Sequence, residues 1–468
     1  MAAQAKVDVG GILRPQGRLD LATALHPYGY TLGERGAAHL LRRAGFGGTP
    51  AEIGRYAAMR PGDAVASLLT MQPANSVAAP EQAQVDGPLG RRETRESLDG
   101  LQLWWLNRML NSPAPLQEKM TLYFHGHFTS RATPRFPRIT YNQNALFRRY
   151  AAGNLRELTR EVSKDAAMLI YLDGANNVAS HPNENYAREL MELFTLGVDN
   201  YTEHDVRESA RAWTGWHVVR RTDAVSFDED LHDNGTKTFL GHTGNFNGDD
   251  IVDIIFDQPQ CARFFAASLL NWFVYNDPEP ELVDAVAGII REHRYDLSPV
   301  LGVVLSSNVF HGERSYRALV KSPVEFVVGT YKTLGLPAIG ETAIPALQQM
   351  GQRLFFPPSV AGWPGGKNWL TSGTMIERQN FLTRLLGSQT LDASSWLRRI
   401  PIAPKSAAAL LAQTIVQNDV SPASFNELEG YLGGAGSAAL ASLSAENYDQ
   451  RITGAVYLAM ATPAYQLN

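Results

Sequence analysis

Hydrophobic side chains recur every three or four positions along most of the chain, which is the period of amphipathic α-helices. Helix start and stop signals divide this pattern into segments. Thr31 and Glu34 stand at capping-box spacing, and glycines at 45–48 follow the same segment, which predicts a helix over about 32–44. Thr49 is a good N-cap for a second helix that follows directly. Similar segments continue almost to residue 468.

The alternation that is typical of β-strands is confined to residues 216–240, in WHVVRR, VSFDED and TKTFLG. The predicted fold class is therefore all-α, with a small irregular or β-hairpin insertion near 216–248. We expect residues 31–468 to form a single large helical domain and residues 1–30 to be an N-terminal extension. Residues 73–92 are rich in Pro, Ala and Gln and are predicted to be a mobile connector.

Composition narrows the class of protein. Hydrophobic residues make up 44% of the chain and charged residues 19%, which is the balance of a globular protein. The net charge of −5 does not favour nucleic acid as a partner, and no apolar run is long enough for a transmembrane helix. The single cysteine, Cys261, lies in an apolar helical run, which favours a buried core residue over a nucleophile.

The segment HPNENYARELMELFTLG, residues 181–197, predicts one helix over about 184–196 with Asn183 as N-cap and Glu184 in the first turn. At 100° per residue, Glu189 falls on the same face as Tyr186 and Leu190. A carboxylate on an apolar face must be paired, protonated or bound to a metal. Glu189 is therefore a candidate general acid or base, and a buried ion pair with an arginine is the alternative.

The segment MTLYFHGHFTSRATPRFPR contains two histidines, His125 and His127, near the predicted end of a helix over about 115–124. Residues two apart point to opposite sides of a helix, so these side chains converge on one ion or substrate only if the helix has already ended. Otherwise they are ordinary helix-end residues. Arg131 and Arg135 follow and either bind an acidic substrate or belong to a solvated loop.

Two further segments carry polar or aromatic candidates. The loop FDEDLHDNGTKTFLGHTGNFNGDD is dense in oxygen and imidazole donors, and His232 or Asp233 would complete a divalent metal site with His125 and His127. Trp363 and Trp369 flank a tight GWPGG turn. These indoles either stack against sugar rings or anchor the loop to the core.

Several motifs in this order, HGHF, SKDAAMLIYLDG, HPNENYARELMELFTLG, YTEHDVRESARAWTGW, HDNGTKTFLG, GNFNGDDIVDII and GWPGG, resemble the bacterial family named domain of unknown function 1800. The resemblance covers roughly residues 31–390 and extends towards the end of the chain. It implies no established activity. It implies an envelope or extracellular setting, because members of the family carry export signals. This chain has no such signal at its start, so we expect a periplasmic or extracellular protein if a signal has been removed and a cytoplasmic one otherwise.

Two functions follow as expectations. The first is a hydrolase or lyase that acts on an acidic or sugar-containing substrate such as a polysaccharide. Glu189 would be its general acid or base, His125 and His127 would orient the substrate or bind a divalent metal, and Arg131, Arg135, Asn183, Glu184, Trp363 and Trp369 would bind the substrate. The second is a non-catalytic exported scaffold that binds a glycan or a protein.

Overall fold

The fold was analysed in a computed structural model that describes residues 19–73, 76–81, 91–132, 136–219, 224–388, 403–433, 440 and 443–468. The predicted connector at 73–92 lies largely outside these ranges. The α-helices of the described residues are Leu21–Ala24 (α1), Gly33–Arg43 (α2), Pro50–Ala57 (α3), Pro61–Leu68 (α4), Arg91–Asn111 (α5), Pro115–His127 (α6), Pro137–Arg149 (α7), Leu155–Ser163 (α8), Ala166–Tyr171 (α9), Asn185–Glu189 (α10), Glu203–Ala212 (α11), Gly248–Asp257 (α12), Pro259–Phe273 (α13), Pro280–Glu292 (α14), Leu297–Ser306 (α15), Asn308–His311 (α16), Pro323–Leu334 (α17), Ala343–Gln349 (α18), Ser372–Ser388 (α19), Pro404–Val416 (α20), Pro422–Gly433 (α21) and Ala445–Ala461 (α22).

Local sequence signals account for many of these helix starts. Thr49 and Glu52 form a reciprocal capping box at α3, and Asn247 and Asp250 form another at α12. Proline stands at the first position of several helices, α6 and α17 among them, where its missing N–H costs nothing. The all-α fold class is confirmed by the structure.

The predicted insertion near 216–248 is also confirmed, as two short antiparallel hairpins. Strand β1 (Trp216–Val218) pairs with β2 (Val225–Phe227), and β3 (Lys237–Phe239) pairs with β4 (His242–Gly244). Each strand has three residues, which is too short for an independent sheet. The hairpins are therefore stabilised by packing against the helices, as β3 packs against α11.

The described core consists of two large hydrophobic clusters. The first is built mainly from α2–α4, α6, α8, α10–α16 and the segments between them, and the second from α5 and α17–α22. Helix α6 contributes Met120 and Tyr123 to the first cluster and Leu122 to the second. Cys261 is fully buried in the first cluster, in agreement with its predicted place in the core.

Two helix boundaries differ from the sequence-based predictions. Helix α6 does not end at residue 124 but continues through His127, with Phe128 as C-cap. The helix predicted over 184–196 is regular only in α10, because a π-helical segment, Leu190–Thr195, follows it directly. The backbone N–H of Leu196 donates to the carbonyl of Met191 at 2.8 Å, which is the five-residue hydrogen bond of a π-turn.

Candidate ligand pocket

The two histidines of the HGHF motif lie in the last turn of α6 and point to opposite sides of the helix, because residues two apart are separated by about 200°. His125 is 3% exposed and packs against the rings of Trp105, Phe355 and Trp363. The backbone N–H of Phe355 donates to His125 Nε2 at 3.0 Å. Burial lowers the pKa of His125 to about 3, so the imidazole is neutral near pH 7 with its proton on Nδ1.

His127 is held on the other side of α6. Its Nε2–H donates to the carbonyl of Phe194 at 2.9 Å, and its ring packs against Tyr123 and Phe265. Burial lowers the pKa of His127 to about 4, against the smaller opposing effect of the Phe194 hydrogen bond. The prediction that both histidines converge on one ion is therefore wrong for this geometry, because the helix continues to His127.

The other two predicted metal ligands are occupied by protein contacts. His232 Nδ1–H donates to the carbonyl of Thr214 at 2.9 Å. Asp233 accepts Arg211 Nε at 2.7 Å and Nη2 at 3.1 Å, and this guanidinium holds the pKa of Asp233 below its usual range. Among the described residues, no three His, Cys, Asp or Glu side chains are grouped so that they could hold a metal ion. The predicted set of His125, His127, His232 and Asp233 is not assembled.

A pocket of about 300 Å³ opens beside the C-terminal end of α6, and we call it the indole pocket. Three tryptophan side chains from different segments, Trp272, Trp363 and Trp369, line it. The remaining lining includes Tyr123, Gly126, His127, Ser268, Asn271, Asn276, Glu325, Gln352 and the Pro364–Gly366 backbone. The pocket thus combines aromatic rings with amide, hydroxyl and carboxylate groups, which is typical of a small-molecule site.

The GWPGG turn packs directly on the HGHF segment. Thr129 Oγ1 donates to the carbonyl of Val360, and Gly362 adopts a φ of +77° with its Cα facing the carbonyl of Gly126. A Cβ at position 362 would lie 2.7 Å from that carbonyl oxygen, so only glycine fits. This close approach places Trp363 against His125 and at the edge of the indole pocket. Trp363 therefore both anchors the turn and lines the pocket.

A buried ion pair forms part of the wall. Glu325 accepts the ammonium of Lys119 and the backbone N–H of Ser322, the latter at 2.7 Å, within the capping box of α17. Burial disfavours the charge of Glu325, but the pairing with Lys119 holds its pKa below the usual range. The Lys119 ammonium lies 5.1 Å from the ring of Trp272, whose Nε1–H is buried without a hydrogen-bond partner among the described residues. A ligand acceptor or a water would satisfy that donor.

Glu189 lies outside the residues that line the indole pocket. Its side chain is half-buried at the end of α10 and makes no hydrogen bond or ion pair with a described residue. Burial raises the pKa of Glu189, and Glu192 raises it further, while Arg188 lowers it. The alternative of a buried ion pair with an arginine is not observed, because Arg188 instead binds Glu203 through two hydrogen bonds of 2.6 and 2.8 Å.

Tyr171 is close to both Glu189 and Arg131. Burial raises the pKa of Tyr171, Arg131 lowers it and Glu189 raises it. Arg131 is exposed and does not line the indole pocket. Arg135 lies outside the described residues. Glu184 contacts Arg188 at 3.3 Å, and Asn183 Oδ1 accepts the backbone N–H of Asn185 at 2.9 Å, so both have local structural roles.

The sequence-predicted candidates thus separate into two places. His127, Trp363 and Trp369 meet at the indole pocket, whereas Glu189 and Arg131 are near Tyr171. The sequence analysis missed Trp272, Glu325 and Gln352 as pocket residues. Trp272 was hidden in the apolar pattern of a helix, and the Ser322–Glu325 spacing is the only signal at Glu325 and indicates a helix cap.

Comparison with known proteins identifies the family. The model of the family described as Protein of unknown function (DUF1800) matches residues 39–467, and the chain belongs to this family. No curated protein and no solved structure matches the chain significantly. None of the helices in the described part of the chain has the length and hydropathy that crossing a bilayer requires.

Proposed function

We propose that this protein binds a saccharide or a saccharide-like small molecule in the indole pocket. The observation that carries the proposal is the convergence of Trp272, from α13, with Trp363 and Trp369, from the GWPGG loop, on one pocket that also presents polar side chains. Indole faces cover the apolar C–H faces of a sugar ring, while Asn271, Asn276 and Gln352 offer donors and acceptors to its hydroxyls. A volume of about 300 Å³ is at the lower limit for ligand pockets and suits a small ligand or the terminal unit of a longer chain.

The binding test uses tryptophan substitution. Trp363→Ala and Trp369→Ala are expected to weaken binding of a responsive saccharide by about tenfold or more, because each removes a stacking face. Trp216→Ala is the matched control, since this indole is also partly buried but lies in β1 away from the pocket. Titration calorimetry against a panel of neutral and acidic mono- and disaccharides measures the effect. The proposal fails if no member of the panel binds the wild-type protein, or if Trp216→Ala weakens binding as much as Trp363→Ala.

We propose acid/base catalysis at Glu189, in a hydrolase or lyase, as a second candidate function. It is favoured by one observation: this half-buried carboxylate has a raised pKa and no hydrogen-bond or ion-pair partner among the described residues. Such a group is suited to donating or accepting a proton. Arg131, which like Glu189 acts on Tyr171, would attract an acidic substrate.

Turnover of polysaccharides and chromogenic glycosides tests this second candidate. Glu189→Gln is expected to lower kcat by about 100-fold or more while leaving the fold intact, because it removes a carboxylate that has no partner. Glu192→Gln is expected to retain turnover and to move the pH profile to lower pH, since Glu192 raises the pKa of Glu189. Glu281→Gln, in the first turn of α14, is the exposed control. Full turnover in Glu189→Gln would remove Glu189 from the mechanism and leave the binding proposal standing.

A further inference from the structure

A second, smaller void lies between the C-terminal end of α2 and the start of α17. Its volume is about 20 Å³, and the charged side chains that line it are Arg42, Arg317, Lys321 and Glu325. The three cationic side chains are 7%, 8% and 5% exposed, respectively, so all of them are withdrawn from bulk water. The void is therefore lined by three buried cationic side chains and one anionic side chain, together with Asn468, the last residue of the sequence.

The protein partners of these charges are distributed unevenly. Arg317 is satisfied, because its Nε donates to Asp419 at 2.7 Å and its Nη2 donates to the carbonyl of Val416 at 2.9 Å. Glu325 is committed to Lys119 and to the capping box of α17. The carboxylate of Glu325 and the guanidinium of Arg317 are thus already paired with other groups of the protein.

Arg42 and Lys321 form no ion pair with a carboxylate of the described residues, although Asp419 raises the pKa of Arg42, as Tyr316 does, and Glu325 raises that of Lys321. Arg42 Nη1 donates to Gln417 Oε1 at 2.6 Å, but Nε and Nη2 are buried and have no hydrogen-bond partner among the described residues. The ammonium of Lys321 makes no hydrogen bond or ion pair with a described residue and lies 3.9 Å from the centroid of the Tyr465 ring. Two cationic side chains therefore face one small void with unused donors.

Burying an unpaired charge costs several kcal/mol, and an arginine cannot escape this cost by losing its proton. Lysine can do so: burial, followed by the charges of Arg317 and Arg42, places the pKa of Lys321 well below its usual value. An anion between the two side chains would compensate both charges and satisfy the free guanidinium donors.

We infer that the void is a binding site for one monatomic halide anion, such as chloride, which is held by Arg42 Nε and Nη2 and by Lys321 Nζ. A space of about 20 Å³ accommodates roughly one water-sized species, which excludes phosphate and sulfate. The void shares Glu325 with the indole pocket, but Arg42 and Lys321 do not line that pocket, so neither proposal depends on the other.

The anion site is tested by thermal unfolding at constant pH and ionic strength, with sodium gluconate as the bulky reference salt. Replacing gluconate by chloride or bromide is expected to raise Tm by roughly 1–3 °C in a saturable manner. Arg42→Gln and Lys321→Met are expected to abolish this response. Arg35→Gln should retain it, because Arg35 is exposed and paired with Glu313.

Crystals soaked in bromide provide a readout that does not depend on variants, in case Arg42→Gln fails to fold. We expect an anomalous peak between Arg42 and Lys321. The inference is overturned if the wild-type Tm is the same in chloride and gluconate and no peak is present. A map in which water or a group of the chain itself fills the void also overturns it.

Discussion

His125 and His127 are neutral imidazoles whose two rings use Nε2 in opposite ways. His125 Nε2 accepts a hydrogen bond from Phe355, whereas His127 Nε2 donates one to Phe194. Each bond fixes one tautomer. In His127 the remaining nitrogen, Nδ1, has no hydrogen bond to a described residue, and the ring lines the indole pocket. This nitrogen is suited to accept a hydrogen bond from a ligand hydroxyl.

The low pKa values of the two histidines predict a pH dependence of stability. The unfolded chain binds protons on these rings below about pH 6.5, while the folded protein does so only near pH 4 for His127 and pH 3 for His125. Between pH 6.5 and 4 the unfolded state therefore holds more protons, and the free energy of unfolding falls as the pH falls. The expected slope is about 1.4 kcal/mol per pH unit for each histidine.

Urea unfolding at several pH values between 4 and 7 measures this slope. His127→Phe is expected to reduce the dependence of the free energy of unfolding on pH by the contribution of one histidine. His242→Gln, at an exposed position, should leave this dependence unchanged. An equal slope in wild type and His127→Phe would show that His127 is protonated alike in both states.

At the scale of elements, two short irregular segments position the pocket. The π-helical segment Leu190–Thr195 ends with the Phe194 carbonyl facing His127, and the GWPGG turn meets Gly126 one residue earlier in α6. Both contacts are made by backbone carbonyls near helix ends, which have no partner within their own helix. The last turn of α6 is thus held from two sides.

Gly362→Ala is predicted to destabilise this arrangement. The new Cβ would collide with the Gly126 carbonyl and also require a φ of +77°, for a combined cost of about 1–3 kcal/mol. Gly366→Ala is the matched control, because Gly366 also has a positive φ but a Cβ there would meet nothing within 4 Å. Chemical denaturation compares the two variants. Equal losses would assign the cost to backbone strain alone and not to the contact between turn and helix.

The sequence predicts the helices and the hairpin insertion because periodicity and capping are local properties. It does not predict the end of α6 or the π-helical segment, which contact each other across a long sequence separation through His127 and the Phe194 carbonyl. The sequence also does not predict how far Glu189 lies from His125 and His127. These residues belong to separate motifs, and the distance between motifs depends on the tertiary fold. Trp272 lines the pocket, but it lies in the apolar pattern of a helix, and this pattern does not indicate a role in a pocket.

At the scale of the whole molecule, α6 joins the two hydrophobic clusters through polar as well as apolar contacts. Glu118 of α6 is fully buried and accepts Trp105 Nε1 at 3.0 Å, Arg108 Nε at 2.5 Å and Arg148 Nε at 2.8 Å. Helices α5, α6 and α7 meet at this one carboxylate. The helix that carries HGHF is thus fixed to α5 and α7 through one buried carboxylate, which limits how far the wall of the indole pocket can move.

Cys261 is a natural chemical probe for local opening of the first hydrophobic cluster. Its thiol is fully enclosed, and burial raises its pKa, so alkylating reagents have neither access nor a thiolate to attack. Because the chain has no other sulfhydryl, each modified molecule records one opening of the interior around α13. The labelling rate then measures how often the first hydrophobic cluster opens locally, without any engineered probe.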